Sequence, residues 1–454
     1  MSPARPRHPG RTSRGARARR RGIGLALAGG GPLGGIYEIG ALLALADSLD
    51  GLDLNDLDVY VGVSSGGFVA AALANGISPA QMYRLFIDDG ADAALKPEVF
   101  LKPALGEFRR RASVFPRLAF RAAMHYLRDP FRRGVMRSFS TLASAVPTGM
   151  FDNGAIDEFL ARVFSAKGRT NDFRKLGRKL YLVATNLDTG LSVTFGQPGH
   201  DHVPISRAIE ASSALPGLFP PVEIDGDHYV DGALNKTLHA SVALDEGIGL
   251  LLCVNPLVPF DAPGASRRGR LTVDKLDHGG LPLVLSQTFR AVIHSRMKVG
   301  MEKYRRQYPD ADVVLFEPDR EDVDMFFANI FSYSQRKRLC ATAYATTRHN
   351  LRARAPQLAA TLARHGITIR EDRLADAARD VRAALVDPRP IRADPSAKRS
   401  VRSTARELAH TLDHLERFLE GRKAPRRGRA SAAGRASARR MSRAPASACR
   451  PPHH

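Results

Sequence analysis

The chain of 454 residues is long enough for one large domain with extensions, or for two domains, and its 44% apolar and 25% charged content suits a globular protein. The formal charge of +22 gathers at the ends: residues 1–21 hold eight arginines and residues 422–454 nine arginines and one lysine, with no acid in either stretch. Three widely spaced cysteines (Cys253, Cys340, Cys449) exclude a disulfide scaffold and a cysteine-based zinc site, and no apolar run of 18 residues exists to span a bilayer.

Residues 1–22 and the end of 391–454 are too poor in apolar side chains to bury a core, so they read as disordered basic tails. A second reading has them adhere to anionic membrane surfaces. No helix-turn-helix, zinc finger or aromatic RNA-binding strand accompanies them, so nucleic acid is not expected as a partner. The following stretch "GIGLALAGGG" imitates a signal peptide, but its apolar part, Ile23–Ala28, is too short and runs into glycines. It reads as a buried first strand, and with the sparse cysteines this points to a cytoplasmic protein.

Gly34 through Ser48 reads as a helix on the spacing of Ile36, Ile39, Leu42, Leu43 and Ala46. A second strand over Asp58–Val63 then meets a tight turn and a small-residue helix that ends at Gly76. Strand, glycine turn and helix, twice in succession, predict a parallel sheet with crossover helices. Residues 88–150 differ: Arg109 to Arg137 contains nine arginines against one acid, interleaved with aromatic residues such as Phe115, Phe120 and Phe131. This reads either as a surface helix or as an interfacial cap over a site. The α/β pattern returns with "KLYLVATNLDTGLSVTFG", two strands joined at Asp188-Thr189-Gly190. A strand end at Asp231-Gly232, a helix and a buried strand over Gly249–Asn255 follow, then one more strand near residue 315. Gln335–Val386 and Arg402–Leu419 are patterned as helices, the latter with a Leu408, Leu412, Leu415, Leu419 packing stripe.

The two glycine turns have to be read together. Gly29-x-Gly31-x-x-Gly34 satisfies the dinucleotide fingerprint, but that site needs an acid at the tip of the second strand. Here the tip is "GVSSGG", and Asp53, Asp56 and Asp58 precede the strand at its wrong end. Gly62-Val63-Ser64-Ser65-Gly66 is instead G-x-S-x-G, a nucleophile elbow that thrusts Ser64 out at the start of a helix. Serine attack on an acyl carbon needs a base and oxyanion donors. The first glycine loop can supply backbone N–H donors. The base is either one of His228, His239 and His294, as in a triad esterase, or Asp231, whose position before Gly232 also suits a helix N-cap.

Gly29–Gly34, Gly62–Gly66 and Asp231-Gly232-Ala233 resemble, in order and rough spacing, the three signature blocks of the patatin-like phospholipase family. The stretch "ASSALPGLFPPVEIDGDHYVDGA" resembles the family's approach to its catalytic aspartate. The resemblance covers about residues 23–260 and implies a three-layer α/β/α fold with a mostly parallel central sheet. It further implies Ser64 as nucleophile, Asp231 as proton acceptor without a histidine, and an oxyanion hole at Gly29, Gly30, Gly31 and Gly34. Gly62, Gly66, Gly232 and Ala233 complete the motifs. The implied activity is lipid acyl-ester hydrolysis with no organic cofactor and, for many members, no metal. One departure stands out: where the family often has Arg or Lys, this chain has Leu33, preceded by Pro32.

The organisation expected is therefore a basic tail (1–22), a patatin-like hydrolase domain (23–260) and a mainly helical extension (261–390). An amphipathic helix and a second basic tail follow over 391–454. Expected partners are a lipid substrate and, transiently, an anionic membrane surface. A His-triad esterase and a non-catalytic lipid-binding scaffold are the rival readings.

Overall fold

The computed structural model describes residues 22–88, 148–269, 280–327 and 333–386, together with positions 104, 113, 115–120, 124 and 276. The basic tails, most of the Arg-rich 88–150 segment and the leucine stripe of Arg402–Leu419 lie outside the described residues. In chain order, β1 (Ile23–Leu27) leads into α1 (Gly31–Ser48), a short β2 (Leu49–Asp50), β3 (Val59–Val63), α2 (Ser65–Ala74) and α3 (Pro79–Phe86). Next come α4 (Gly154–Phe164), β4 (Lys179–Asn186), β5 (Ser192–Phe195), α5 (Ile205–Ser212), β6 (Val222–Ile224), β7 (Asp227–Asp231), α6 (Ala240–Leu244) and β8 (Leu250–Val254). The remainder is α7 (Ala262–Arg267), α8 (Gly280–Gln307), β9 (Asp312–Phe316), α9 (Val323–Phe327), α10 (Tyr333–Arg364), β10 (Thr368–Ile369), α11 (Glu371–Ala375) and α12 (Val381–Val386).

The main sheet has the order β6–β7–β4–β3–β1–β8–β9, with β5 also paired to β4. From β4 to β9 its strands are parallel. β5, β7 and β6 join antiparallel. The continuous apolar runs "IGLAL", "VYVGV" and "LLLCV" follow from this, since a parallel strand covered on both faces has no side to leave polar. Alternate residues enter two cores. Leu25, Leu27, Tyr60, Leu182 and Leu252 face α1, α2 and α10, whereas Ala26, Val61, Val63, Val183 and Cys253 face α6 and α8. The chain is a three-layer α/β/α protein with a mostly parallel sheet and a helical C-terminal region, as the sequence predicts.

One detail differs from the sequence reading. Helix α1 begins at Gly31 rather than Gly34, because Pro32 occupies its first turn, where a missing N–H costs nothing. The strand expected near residue 315 is β9, the parallel edge strand beside β8, so residues beyond 260 contribute to the sheet. The described residues belong to one compact unit that ends at Pro388. Among them, no helix is long and apolar enough to cross a membrane.

The far end of α1 is pinned by a buried ion cluster. Asp47 accepts from Arg373 Nη1 (2.6 Å), Arg379 Nε and Nη2 (both 2.7 Å) and Tyr344 Oη (2.7 Å). Burial alone would raise this carboxyl, but the hydrogen bonds from Arg379, Tyr344 and Arg373 hold it down at about 2. The cluster ties α1, whose other end forms the glycine loop, to the C-terminal helices. Asp47→Ala deprives two partly buried arginines of their shared carboxylate and is expected to lower unfolding free energy by about 1–3 kcal/mol, as read by chemical denaturation.

Candidate active site

Strand β4 organises the site. Its Leu182 and Val183 pair with β3 on one edge and with β5 on the other. At Ala184 and Thr185 β5 still holds its edge, so β7, which pairs with Ala184–Asn186, must occupy the edge that β3 has just vacated. β3 and β7 therefore meet end to end along β4, Val63 opposite Val183 and Asp231 opposite Ala184. The residue after Val63 is Ser64, so the G-x-S-x-G turn and the aspartate arrive at one point.

Ser64 sits at φ 53°, ψ −125°, a conformation that costs a non-glycine residue about 1–3 kcal/mol and is held by its surroundings. Its N–H donates to Ser212 Oγ (2.8 Å), and Ser212 Oγ in turn donates to Val183 O (2.6 Å). Its carbonyl accepts from Gly67 N–H (2.9 Å) to start α2. The sharp turn needs Gly66, because a Cβ there would lie 2.6 Å from the carbonyl oxygens of Leu27 and Ala28. Gly62 packs directly against Gly67 in the same turn.

Asp231 is buried, its carboxyl lies beside the Ser64 side chain, and its Oδ1 accepts from Ala233 N–H (2.8 Å). It thus caps the 3-10 turn Gly232–Leu234 while it faces the serine, so the capping and the chemical readings of this residue coexist. Its own N–H is held by Ala214 O (3.0 Å) and its carbonyl by Thr185 Oγ1 (3.3 Å). Burial pushes the Asp231 carboxyl up to about 6, while the bonds from Ala233 and Ser64 restrain the rise. Gly232 allows the turn to lie on β4: a Cβ there would sit 2.2 Å from Val183 O.

The glycine loop closes the third side. A Cβ on Gly29 would lie 3.1 Å from the Cβ atoms of both Ser64 and Ala233, so this residue fits between the two motifs. Gly30 is the N-cap of α1, and Gly31 takes φ +60°. The first amides of a helix have no carbonyl one turn back to bond, and they point outward with the positive end of the dipole. Gly34 closes the first turn by donating to Gly30 O (3.0 Å). Leu33 packs its side chain on the core, so this position brings no cation to the loop.

Sequence reasoning missed the supports. Ser212 lies in "ASSALPG", a stretch noted only as an approach to Asp231, and nothing in that stretch marks it as the partner of Ser64. Pro256 presses on the glycine loop from behind, its Cγ 2.5 Å from where a Gly30 Cβ would stand. Asn255 holds that proline turn. Its Oδ1 accepts from Leu257 N–H (3.1 Å), and its Nδ2 donates to Leu257 O (3.2 Å) and Glu317 Oε1 (2.8 Å). The histidines lie elsewhere. His239 shares its Nε2 proton with Gly232 O (3.3 Å), and burial pulls it down to about 4, so it is neutral. His228 stands half exposed, 3.9 Å from Asp188, and His294 lies 3.5 Å from Glu317. Among the described residues no group of His, Cys, Asp and Glu could hold a metal ion.

Residues 25–244 match the family model described as patatin-like phospholipase. The chain is 24% identical over 233 residues to an uncharacterised protein of Acanthamoeba polyphaga mimivirus, covering 50% of this chain and 64% of that one. It is 22% identical over 215 residues to a probable lipid hydrolase of Invertebrate iridescent virus 6, covering 47% and 61%. It thus spans less than two thirds of the length of these curated relatives. Among solved structures it is similar to VipD from Legionella pneumophila, with a TM-score of 0.35 at 15% identity over 74% of this chain and 67% of that one. It is also similar to human GIVD cytosolic phospholipase A2 in complex with methyl gamma-linolenyl fluorophosphonate, with a TM-score of 0.30 at 15% identity over 76% and 59%.

Two outcomes follow from this geometry. Ser212→Ala leaves the buried Ser64 N–H without its acceptor and is expected to cost about 1–3 kcal/mol of stability, measured by denaturant titration. Asp231 protonates more readily folded than unfolded, so the cost of its buried charge is absent near pH 4 and fully present above about pH 6. Asp231→Asn keeps the acceptor for Ala233 and removes that cost. It is expected to raise stability by about 3 kcal/mol at pH 8 and by little at pH 4.

Proposed function

Residues 25–244 belong to the patatin-like phospholipase family, and on that premise we propose that the protein hydrolyses carboxylic ester bonds of lipids through an acyl-enzyme on Ser64. The observation that carries the reading is the register along β4, which brings Ser64 beside the buried Asp231 carboxyl next to the glycine loop. The naming of one relative as a probable lipid hydrolase agrees with it.

At neutral pH the Asp231 carboxyl, with its value near 6, is mostly ionised and can accept a proton. As Ser64 Oγ attacks the ester carbonyl carbon, its proton passes to Asp231, and the carbonyl oxygen becomes an oxyanion opposite the amides of the glycine loop. Collapse breaks the bond to the alcohol, which leaves with the proton from Asp231. The acyl group now rests on Ser64. Asp231 then takes a proton from water, hydroxide adds to the acyl carbon, and Ser64 Oγ leaves with that proton as the fatty acid is released. Backbone donors alone stabilise the oxyanion in the absence of a cation at Leu33, and the loss of one such donor costs about 3 kcal/mol. Phospholipids and acylglycerols are the substrate class, since both present a carboxylic ester beside an alkyl chain.

Purified protein assayed against phosphatidylcholine, lysophosphatidylcholine and diacylglycerol, with products identified by mass, is expected to release free fatty acid. Ser64→Ala and Asp231→Asn should each reduce that release by at least about 1,000-fold, whereas His228→Ala and His294→Ala should leave it near wild type. Collapse of activity in a histidine variant that folds normally would favour the triad.

A further inference from the structure

Helix α8 packs on the sheet through Arg290, His294, Met297, Met301 and Tyr304, all buried, at alternating three- and four-residue spacing. The opposite face is unusual for a surface helix. Leu285, Val292 and Val299 recur there every seven residues and are 44%, 50% and 70% exposed, with Phe289 beside them at 54%. Arg296, Lys303 and Arg306 continue the same face toward the C-terminus. The face therefore grades from apolar to basic along the helix, and α8 as a whole carries six basic residues against one acid. A helix with an apolar stripe and a basic flank suits the boundary between acyl chains and anionic headgroups.

Its apolar half lies at the active-site end of the sheet. Gln287 donates to Phe260 O (2.8 Å) and accepts from Phe260 N–H (3.0 Å), just beyond the carboxyl end of β8. Arg296 Nη1 donates to Leu234 O (3.1 Å), three residues after Asp231. The other end of the helix reaches the opposite edge, where Tyr308 Oη donates to Asp245 (2.5 Å). Exposed Leu187 and Leu191 flank the β4–β5 turn, beyond the end of β4 that borders Ser64, so apolar side chains face solvent there too.

We propose that this end of the molecule docks on an anionic lipid surface, with Leu285, Phe289 and Val292 entering the acyl boundary and Arg296, Lys303 and Arg306 holding headgroup phosphates. The occupant is argued from the charge of the helix and from its continuity with a site read as a lipid esterase, a reading on which the proposal rests. Docked in this way, α8 brings the bilayer to Ser64 instead of requiring a lipid to cross water.

The chain contains no tryptophan, so Phe289→Trp introduces a single fluorescent reporter into the full-length protein. With vesicles of phosphatidylglycerol and phosphatidylcholine at physiological salt, its emission should shift to the blue and be quenched by brominated lipid. Lys303→Trp should be quenched several-fold less. In parallel, Phe289→Glu/Val292→Glu should lower hydrolysis of vesicle phospholipid at least tenfold while hydrolysis of a soluble short-chain ester is unchanged. Unquenched emission from Phe289→Trp on bound vesicles overturns the proposal, as does unaltered vesicle hydrolysis by the double variant. Blue-shifted emission before vesicles are added that weakens on dilution also overturns it, by assigning the stripe to a second copy of the chain. If the wild type cleaves neither substrate yet Phe289→Trp is quenched, docking stands and the esterase reading falls.

Discussion

Everything at the site depends on two strands sharing one edge of a third. β3 arrives along β4 in parallel and stops at Val63, and β7 arrives antiparallel from the other direction and stops at Asp231. Because the two stops face consecutive residues, Val183 and Ala184, the serine and the aspartate meet with no freedom to be elsewhere. Side-chain flexibility plays little part. The backbone ladder sets the distance, and Gly232, lying where no Cβ could stand against Val183 O, keeps the turn down on the sheet.

Such an arrangement carries internal costs. Ser64 holds a strained backbone, and Asp231 keeps a carboxylate out of water. Both are supported from several elements at once: Ser212 from α5, Ala214 from the loop that follows it, Thr185 from β4 and His239 before α6. The glycine loop is braced from outside the matched residues 25–244, by Pro256 and the Asn255–Glu317 hydrogen bond. The region after residue 244 thus supports the site: it completes the sheet with β9, anchors α1 through Asp47 and backs the glycine loop.

What was legible in the sequence is what local pattern encodes. The apolar runs of β1, β3 and β8, the glycine turns and the elbow at Ser64 could be read because each is a short stretch with its own steric logic. Asp231 could be placed at a strand end, but its choice over a histidine rested on resemblance, since only the register of β7 on β4 brings it to Ser64. Ser212, Asn255 and Glu317 carry no local mark, because their meaning lies in contacts across long separations. The start of α1 was misread by three residues, since glycines that weaken a helix in its middle are harmless in a first turn occupied by Pro32. The cap proposed for residues 88–150 falls mostly outside the described residues.

The central claim is that the Asp231 carboxylate, and no histidine, activates Ser64. Trapping with a fluorophosphonate, followed by peptide mass mapping and by the trapping rate against pH, tests it most directly. The account predicts a single adduct on Ser64 whose rate of formation rises through about pH 6. That rise should vanish in Asp231→Asn and persist in variants of His228, His239 and His294. An adduct on another residue, or a pH limb that survives Asp231→Asn and disappears with one of the histidines, would contradict it.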